Sequence, residues 1–246
     1  MGGSAAELIE LAIAAHGGHE LWDGAREISA RVSSGGLAFA SKLQGSAVRD
    51  VEARVSTRGQ HVVFTPYPRS GQRGVLDADG SVRIETDAGE IVQRREHARS
   101  AFADLRHKLW WDRLDILYFG TYAMWTYMTA PFVFAREDFA ARELDAWDEG
   151  EERWRRLAVD FPDSVHTHSR EQVFYFDDRG LIRRHDYTAE PIGGWAKAAH
   201  YCFDHRSFDG LLVPTRRLVY PRRRDNRPRA RPRLVWIELS NATVVR

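Results

Sequence analysis

LDILYFGTYAMWTYMTAPFVF, residues 114–134, carries one charge, Asp115, and then nineteen uncharged residues to its end. A run of this length fits a membrane span, a helix buried in a globular domain, or the lining of a cavity that holds an apolar molecule. Its composition argues against the first. Tyr118, Tyr122 and Tyr127, with Gly120, Thr121, Thr126 and Thr129, make it polar-aromatic rather than rich in leucine and valine. No excess of lysine or arginine marks one flank. No transmembrane span is expected. As a helix over 110–129, the stretch stacks Trp110, Leu114, Leu117, Thr121, Trp125 and Met128 along one stripe, and Tyr118, Tyr122 and Trp125 recur at i, i+4, i+7. Pro131 stops such a helix and pushes Ala130 toward extended backbone. Two roles remain: a plug filling the concave side of a sheet, or a ligand-cavity wall, to which aromatic rings and flexible methionines are suited.

The flanking sequence supplies the sheet. Ser4 with Glu7 forms a capping box that opens a helix over 5–15, and His16-Gly17-Gly18 closes it, giving an N-terminal helix over 1–17. Over 26–95 short alternating runs are separated by turn signals at 33–36, 77–80 and 87–90, the spacing of an antiparallel meander. A helical insert follows at 96–135, helix-like from Glu96 to about Leu109, then an acidic patch from Glu137 to Glu152. A second strand block spans 154–246. No strand-helix-strand unit occurs, so a parallel sheet is not expected. The expectation is an α+β fold forming one domain over 1–246: a large, curved antiparallel sheet with the N-terminal helix and the helical lid on its concave face.

Composition narrows the function. A chain of 246 residues buries a sizeable core unaided, and 36 Lys plus Arg against 35 Asp plus Glu gives no global field steering it to nucleic acid or membrane. Cys202 is the one cysteine, which excludes an intrachain disulfide and fits a reducing compartment. The N-terminus lacks a basic n-region, and alanine occupies position 6 where a myristoylation signal wants serine or threonine, so a cytoplasmic protein is expected. The sequence has no phosphate-binding glycine loop, dinucleotide fingerprint or serine-nucleophile elbow, and no cofactor is expected.

Three stretches together resemble a known family: the Ala14-Ala15-His16-Gly17-Gly18 element running on to Leu21-Trp22, the hairpin FYFDDRGLIRRHDY at 174–187, and DGLLVPTRR at 209–217. They are similar to the half-barrel proteins related to the bacterial lipoprotein carrier LolA, and among these to uncharacterised actinobacterial-type relatives lacking a signal peptide. The resemblance implies an incomplete antiparallel barrel curled around an apolar cavity, with helices as its lid. It transfers no catalytic residues.

Several clusters are candidates for chemistry. His166 and His168 would share a strand face with metal-like spacing, but no third ligand stands at fixed distance, so solvated strand-edge histidines are expected and no metal. Alternation over 199–206 sets His200, Cys202, Asp204 and Arg206 on one face, and Tyr201, Phe203 and His205 on the other, which makes His205 a candidate base or ligand donor. A three-residue turn at 178–180 would pair Asp177 with Leu181 and Phe174 with Arg184. Phe174, Phe176 and Ile182 would then share a face with Gln172, Arg184 and Asp186, opposite Val173, Tyr175, His185 and Tyr187. A slip of one residue exchanges the sets, so either His185 or Asp186 points inward. The run PRRRDNRPRARPR, 221–233, is expected to be a solvated, extended loop between strands.

The residues thus point to a soluble binding protein enclosing a hydrophobic small molecule, a lipid or polycyclic metabolite. Its walls would be Trp110, Tyr118, Tyr122, Trp125, Met128, Phe174 and Phe176, and its polar contacts His205 with either Arg184 and Asp186 or His185 and Tyr187. The alternative is a cofactor-independent cyclase or isomerase using His205, Asp186 and His185.

Overall fold

The structure, a computed structural model, describes residues 4–44, 48–104, 107 and 109–246. Thirteen strands among these form one antiparallel sheet that does not close into a barrel. Its first half is a meander of β1 (Glu27–Gly35), β2 (Val51–Ser56), β3 (Val62–Thr65), β4 (Gln72–Leu76), β5 (Val82–Thr86) and β6 (Ile91–Arg95). Its second half is β7 (Ala140–Glu149), β8 (Glu152–Asp160), β9 (Glu171–Phe176), β10 (Ile182–Thr188), β11 (Lys197–Phe208), β12 (Leu211–Pro221) and β13 (Val235–Val245). The halves join where the first and last strands pair, Glu27 opposite Val245. The strand order runs β6 to β1, then β13 to β7, leaving β6 and β7 as edges. Most of the acidic patch forms β7, an edge strand none of whose residues is fully buried, so its charges stay in contact with water.

Helix α1 (Ala5–His16) starts at the Ser4–Glu7 capping box and is followed by α2 (Gly18–Gly24) and, after β1, by the single turn α3 (Leu37–Ala40). Residues 105, 106 and 108 of the helix-like 96–109 segment, and the extreme N-terminus 1–3, lie outside the described residues; within that segment Ser100–Ala103 is a 3-10 turn. The opening stretch forms α4 (Arg113–Thr129), and Ala130 leaves it with extended backbone before Pro131. Its one charge has a local explanation. Asp115 is the fourth member of a capping box in which Asp112 accepts from the Asp115 amide at 3.0 Å and Asp115 accepts from the Asp112 amide at 2.8 Å. No helix among the described residues is long and apolar enough to cross a membrane.

Helix α4 is buried on nearly every side, because it lies against β2 to β6 on one flank and meets the second half-sheet on the other. Gly74 in β4 permits the close approach. A Cβ there would stand 2.4 Å from Leu117 Cδ1 and 2.7 Å from Tyr67 Cδ1. Helix α1 closes the far end of the concave side, with Leu8, Ala12 and Ile13 buried in the same core as α4, and Trp22 stacked on Phe132 at 4.4 Å.

Candidate functional site

Between α4 and the sheet lies a cavity of about 520 Å³, within the usual range for small-molecule sites. One face of α4 forms its floor through Phe119, Gly120, Ala123, Met124 and Tyr127, and the inner sides of β1, β12 and β13 form its walls with residues such as Val32, Val219 and Ile237. It opens where α3, the β10–β11 loop and the arginine-rich loop meet, beside Leu37, Trp195, Lys197 and Arg229. Trp195 is 81% exposed there and Leu37 49%.

The helix face that forms the floor is not the aromatic stripe expected from the sequence. Tyr118 and Tyr122 point to the 161–170 segment, which is a loop rather than a strand. The Tyr118 hydroxyl meets His166 Nδ1 at 2.8 Å. His168 lies between two hydroxyls, Tyr122 on Nδ1 at 3.0 Å and Tyr127 on Nε2 at 2.9 Å, with its ring stacked on Tyr187 at 3.9 Å. A neutral imidazole has one N–H, so one tyrosine donates to the ring and the other accepts from it. His168 is buried, not solvated, because this loop folds inward over α4, and burial pulls its pKa down to about 3. Trp125 donates to the Ser56 and Gly59 carbonyls, and Met128 packs in the main core. Trp110 stands apart on a polar cleft with Gln93, Arg95 and Asp112, while its neighbour Trp111 takes the buried position.

The 174–187 hairpin turns as expected, with the Asp177 amide donating to the Leu181 carbonyl at 3.1 Å. An extra residue at Arg183 then shifts the register, so Phe174 faces His185 rather than Arg184. His185 and Tyr187 consequently join Phe174 and Phe176 on the inner face. The His185 ring stacks on Phe174 at 4.1 Å. Its Nε2 lies 2.5 Å from Gln172 Oε1, and the Gln172 amide donates to Thr167 and Ser169, which fixes Gln172 Oε1 as the acceptor and His185 Nε2 as the donor. His200 completes this inner row, edge-on to Tyr127 at 4.7 Å, with neither ring nitrogen hydrogen-bonded among the described residues. Burial holds His185 and His200 well below the usual histidine range. Arg217 lies beside them, 3% exposed, donating to Cys202 Sγ at 3.2 Å and to the Tyr127 carbonyl at 3.0 Å.

Arg184 and Asp186 go to the outer face. Arg184 Nε and Nη2 donate to the two Asp186 oxygens at 2.7 and 2.8 Å, and the Tyr175 hydroxyl donates to Asp186 at 2.9 Å. Trp154, Tyr175 and Tyr201 pack around them. The arginine-rich loop is not wholly solvated: its Asn226 carbonyl accepts from Arg184, and Arg222 Nε reaches Asp186 at 3.6 Å. His205 sits away from both groups. Asp204 takes a left-handed φ of 55°, which breaks the strand alternation, so His205 leaves Tyr201 and Phe203 for His16 under α1, with its Nε2 3.1 Å from the Ile182 carbonyl. Burial pulls its pKa down to about 4. His185, Asp186 and His205 thus stand in three separate environments, and none lines the cavity. Burial pushes the Cys202 thiol up, away from thiolate character.

Of the residues expected to contact a ligand, the structure places Tyr187 on the cavity, along with Met124, one of the two helix methionines; positions 119, 120, 123 and 127 and the rim were not assigned to it from the sequence. A helix buried all round offers no polar face from which to orient it, and only the small pair Gly120 and Ala123 hints at space.

No family model matches the sequence, and no curated protein matches it. Solved structures do. A LolA superfamily protein from Nitrosomonas europaea superposes with a TM-score of 0.54 at 10% identity, covering 100% of this chain and 95% of that one. A DUF1329 family protein from Desulfovibrio piger gives 0.55 at 9% identity over 98% and 92%. A Vibrio parahaemolyticus domain assigned to outer membrane lipoprotein sorting gives 0.51 at 10% identity over 96% and 90%. The open thirteen-stranded sheet with its helices on the concave side therefore shares its fold with these three structures, the LolA superfamily protein among them.

Proposed function

We propose that this protein binds a hydrophobic small molecule, a lipid or polycyclic metabolite, and holds it between α4 and the sheet. The observation that carries this is the cavity of about 520 Å³ with its largely aliphatic and aromatic lining, since protein interiors otherwise pack with few voids larger than a water molecule. The fold similarity supports the same reading, because the half-barrel architecture leaves its concave side available to a guest.

Ala123→Phe tests it. Ala123 lines the floor, so a phenyl group there grows into the void. Binding of an uncharged solvatochromic dye should fall by at least about tenfold, the scale of one displaced apolar group. The urea midpoint should stay or rise, as expected for a filled cavity. Dye binding equal to that of the parent chain would show that the ligand does not use this space.

A further inference from the structure

The chemistry of the cavity rim restricts the ligand further, given the reading above. Among the described residues, the charged ones lining the cavity are Lys197, Arg222 and Arg229, and no aspartate or glutamate lines it. In a chain with 36 basic and 35 acidic residues, such one-sided lining differs from the average surface. Arg222 is partly engaged, with Nη1 donating to Asn226 at 2.7 Å and Nε 3.6 Å from Asp186. Lys197 and Arg229 are exposed, and neither has a carboxylate partner among the described residues. Other arginines on this chain do find acids, for example Arg155 with Glu143 and Arg216 with Asp204.

A second observation lies at the floor. Arg217 is 3% exposed, makes no ion pair among the described residues, and its Nε has no hydrogen-bond partner. Its guanidinium lies 4.8 Å from the Tyr127 ring, which forms part of the cavity floor. The histidines around it, His185 and His200, are buried and carry no acidic function. The potential inside the cavity is thus positive from the rim and from behind the floor, and low-dielectric walls strengthen it.

We propose that the cavity takes an anionic amphiphile, its apolar part between α4 and the sheet and its carboxylate or phosphate at the opening between Lys197 and Arg229. A neutral lipid would leave both cations without a partner, whereas an acid headgroup pairs with them while remaining wet. The exposed Trp195 ring lies at the same opening and becomes covered as the headgroup region fills.

The test compares three probes of one chain length, hexadecanoate, its methyl ester and hexadecyl phosphate, on the full chain and on K197A/R229A. Binding is read by calorimetry, and by Trp195 emission against a W195F control. The parent chain should bind both acids roughly tenfold more tightly than the ester, as two exposed charge pairs allow. The preference should shrink as salt rises and should be lost in K197A/R229A, with ester affinity unchanged. A larger preference for the phosphate identifies a phosphorylated headgroup, and one for hexadecanoate a free acid. Equal binding of ester and acids overturns the headgroup assignment and leaves the apolar cavity standing. A preference that survives in K197A/R229A overturns the assignment to this rim. No binding of any probe overturns both this inference and the cavity function.

Discussion

Acidification should destabilise this protein before any carboxylate of ordinary pKa titrates. His16, His168, His185 and His200 are all at most 2% exposed. Burial lowers His16 to about 4 and His168 to about 3 from an ordinary 6.5, and holds His185 and His200 well below it. The folded state therefore keeps them neutral, while the unfolded chain protonates them near 6.5. Stability contributed by these groups is therefore present above about pH 6.5 and is lost as pH falls toward the folded-state values. At pH 5.5 the size of the loss depends only on the unfolded pKa, since every folded value lies well below. Each histidine then costs about 1.2 kcal/mol relative to pH 7, and four cost about 5 kcal/mol. That is comparable to the whole stability of many domains, about 5–15 kcal/mol. Urea titrations from pH 7 to 5.5 read this directly, and unfolding at pH 5.5 should take up about 3.6 protons through these four sites. His168→Gln should reduce the uptake by about 0.9 proton whatever it does to absolute stability. A free energy of unfolding that is flat across this range would refute the burial of these four histidines in neutral form.

Three further outcomes follow from the packing. Asp186→Asn leaves Arg184 buried without its bidentate partner and should cost roughly 3–5 kcal/mol in urea unfolding, whereas Arg184→Met with Asp186→Leu should recover most of it. Gly74→Ala drives a methyl group into Leu117 and Tyr67 and should cost about 1–3 kcal/mol. In combination with Leu117→Ala its effect should be clearly less than additive, because the clash partner is gone. Ala123→Phe should separate ligand binding from stability, lowering the first and sparing the second.

Much of the architecture was legible from period alone. The turn signals between alternating runs mark the strands, Pro131 marks the end of α4, and the Ser4–Glu7 pair marks the start of α1. What stayed hidden was orientation. The extra residue at Arg183 exchanges the two faces of β10, and nothing in FYFDDRGLIRRHDY distinguishes a bulged hairpin from a regular one, since both faces are largely apolar. The left-handed Asp204 moves His205 off the face that alternation gives it. β7 was concealed by its charges, which are affordable because an edge strand buries little. Helix α4 was legible as a buried element, but its aromatic stripe serves a tyrosine–histidine network, while smaller residues at Gly120 and Ala123 border the open space. The rim could not be found by motif, because Leu37 comes from α3, Trp195 and Lys197 from the β10–β11 loop and the start of β11, and Arg229 from the β12–β13 loop.

If the space between α4 and the sheet holds a guest, that guest should survive gentle purification. Native mass spectrometry of gently purified protein, set against its denatured mass, tests this most directly. The native spectrum should show a discrete extra mass that is lost on denaturation, belongs to an anionic amphiphile, and is absent from Ala123→Phe. The bare chain mass, recovered again after incubation with excess hexadecanoate, would contradict it.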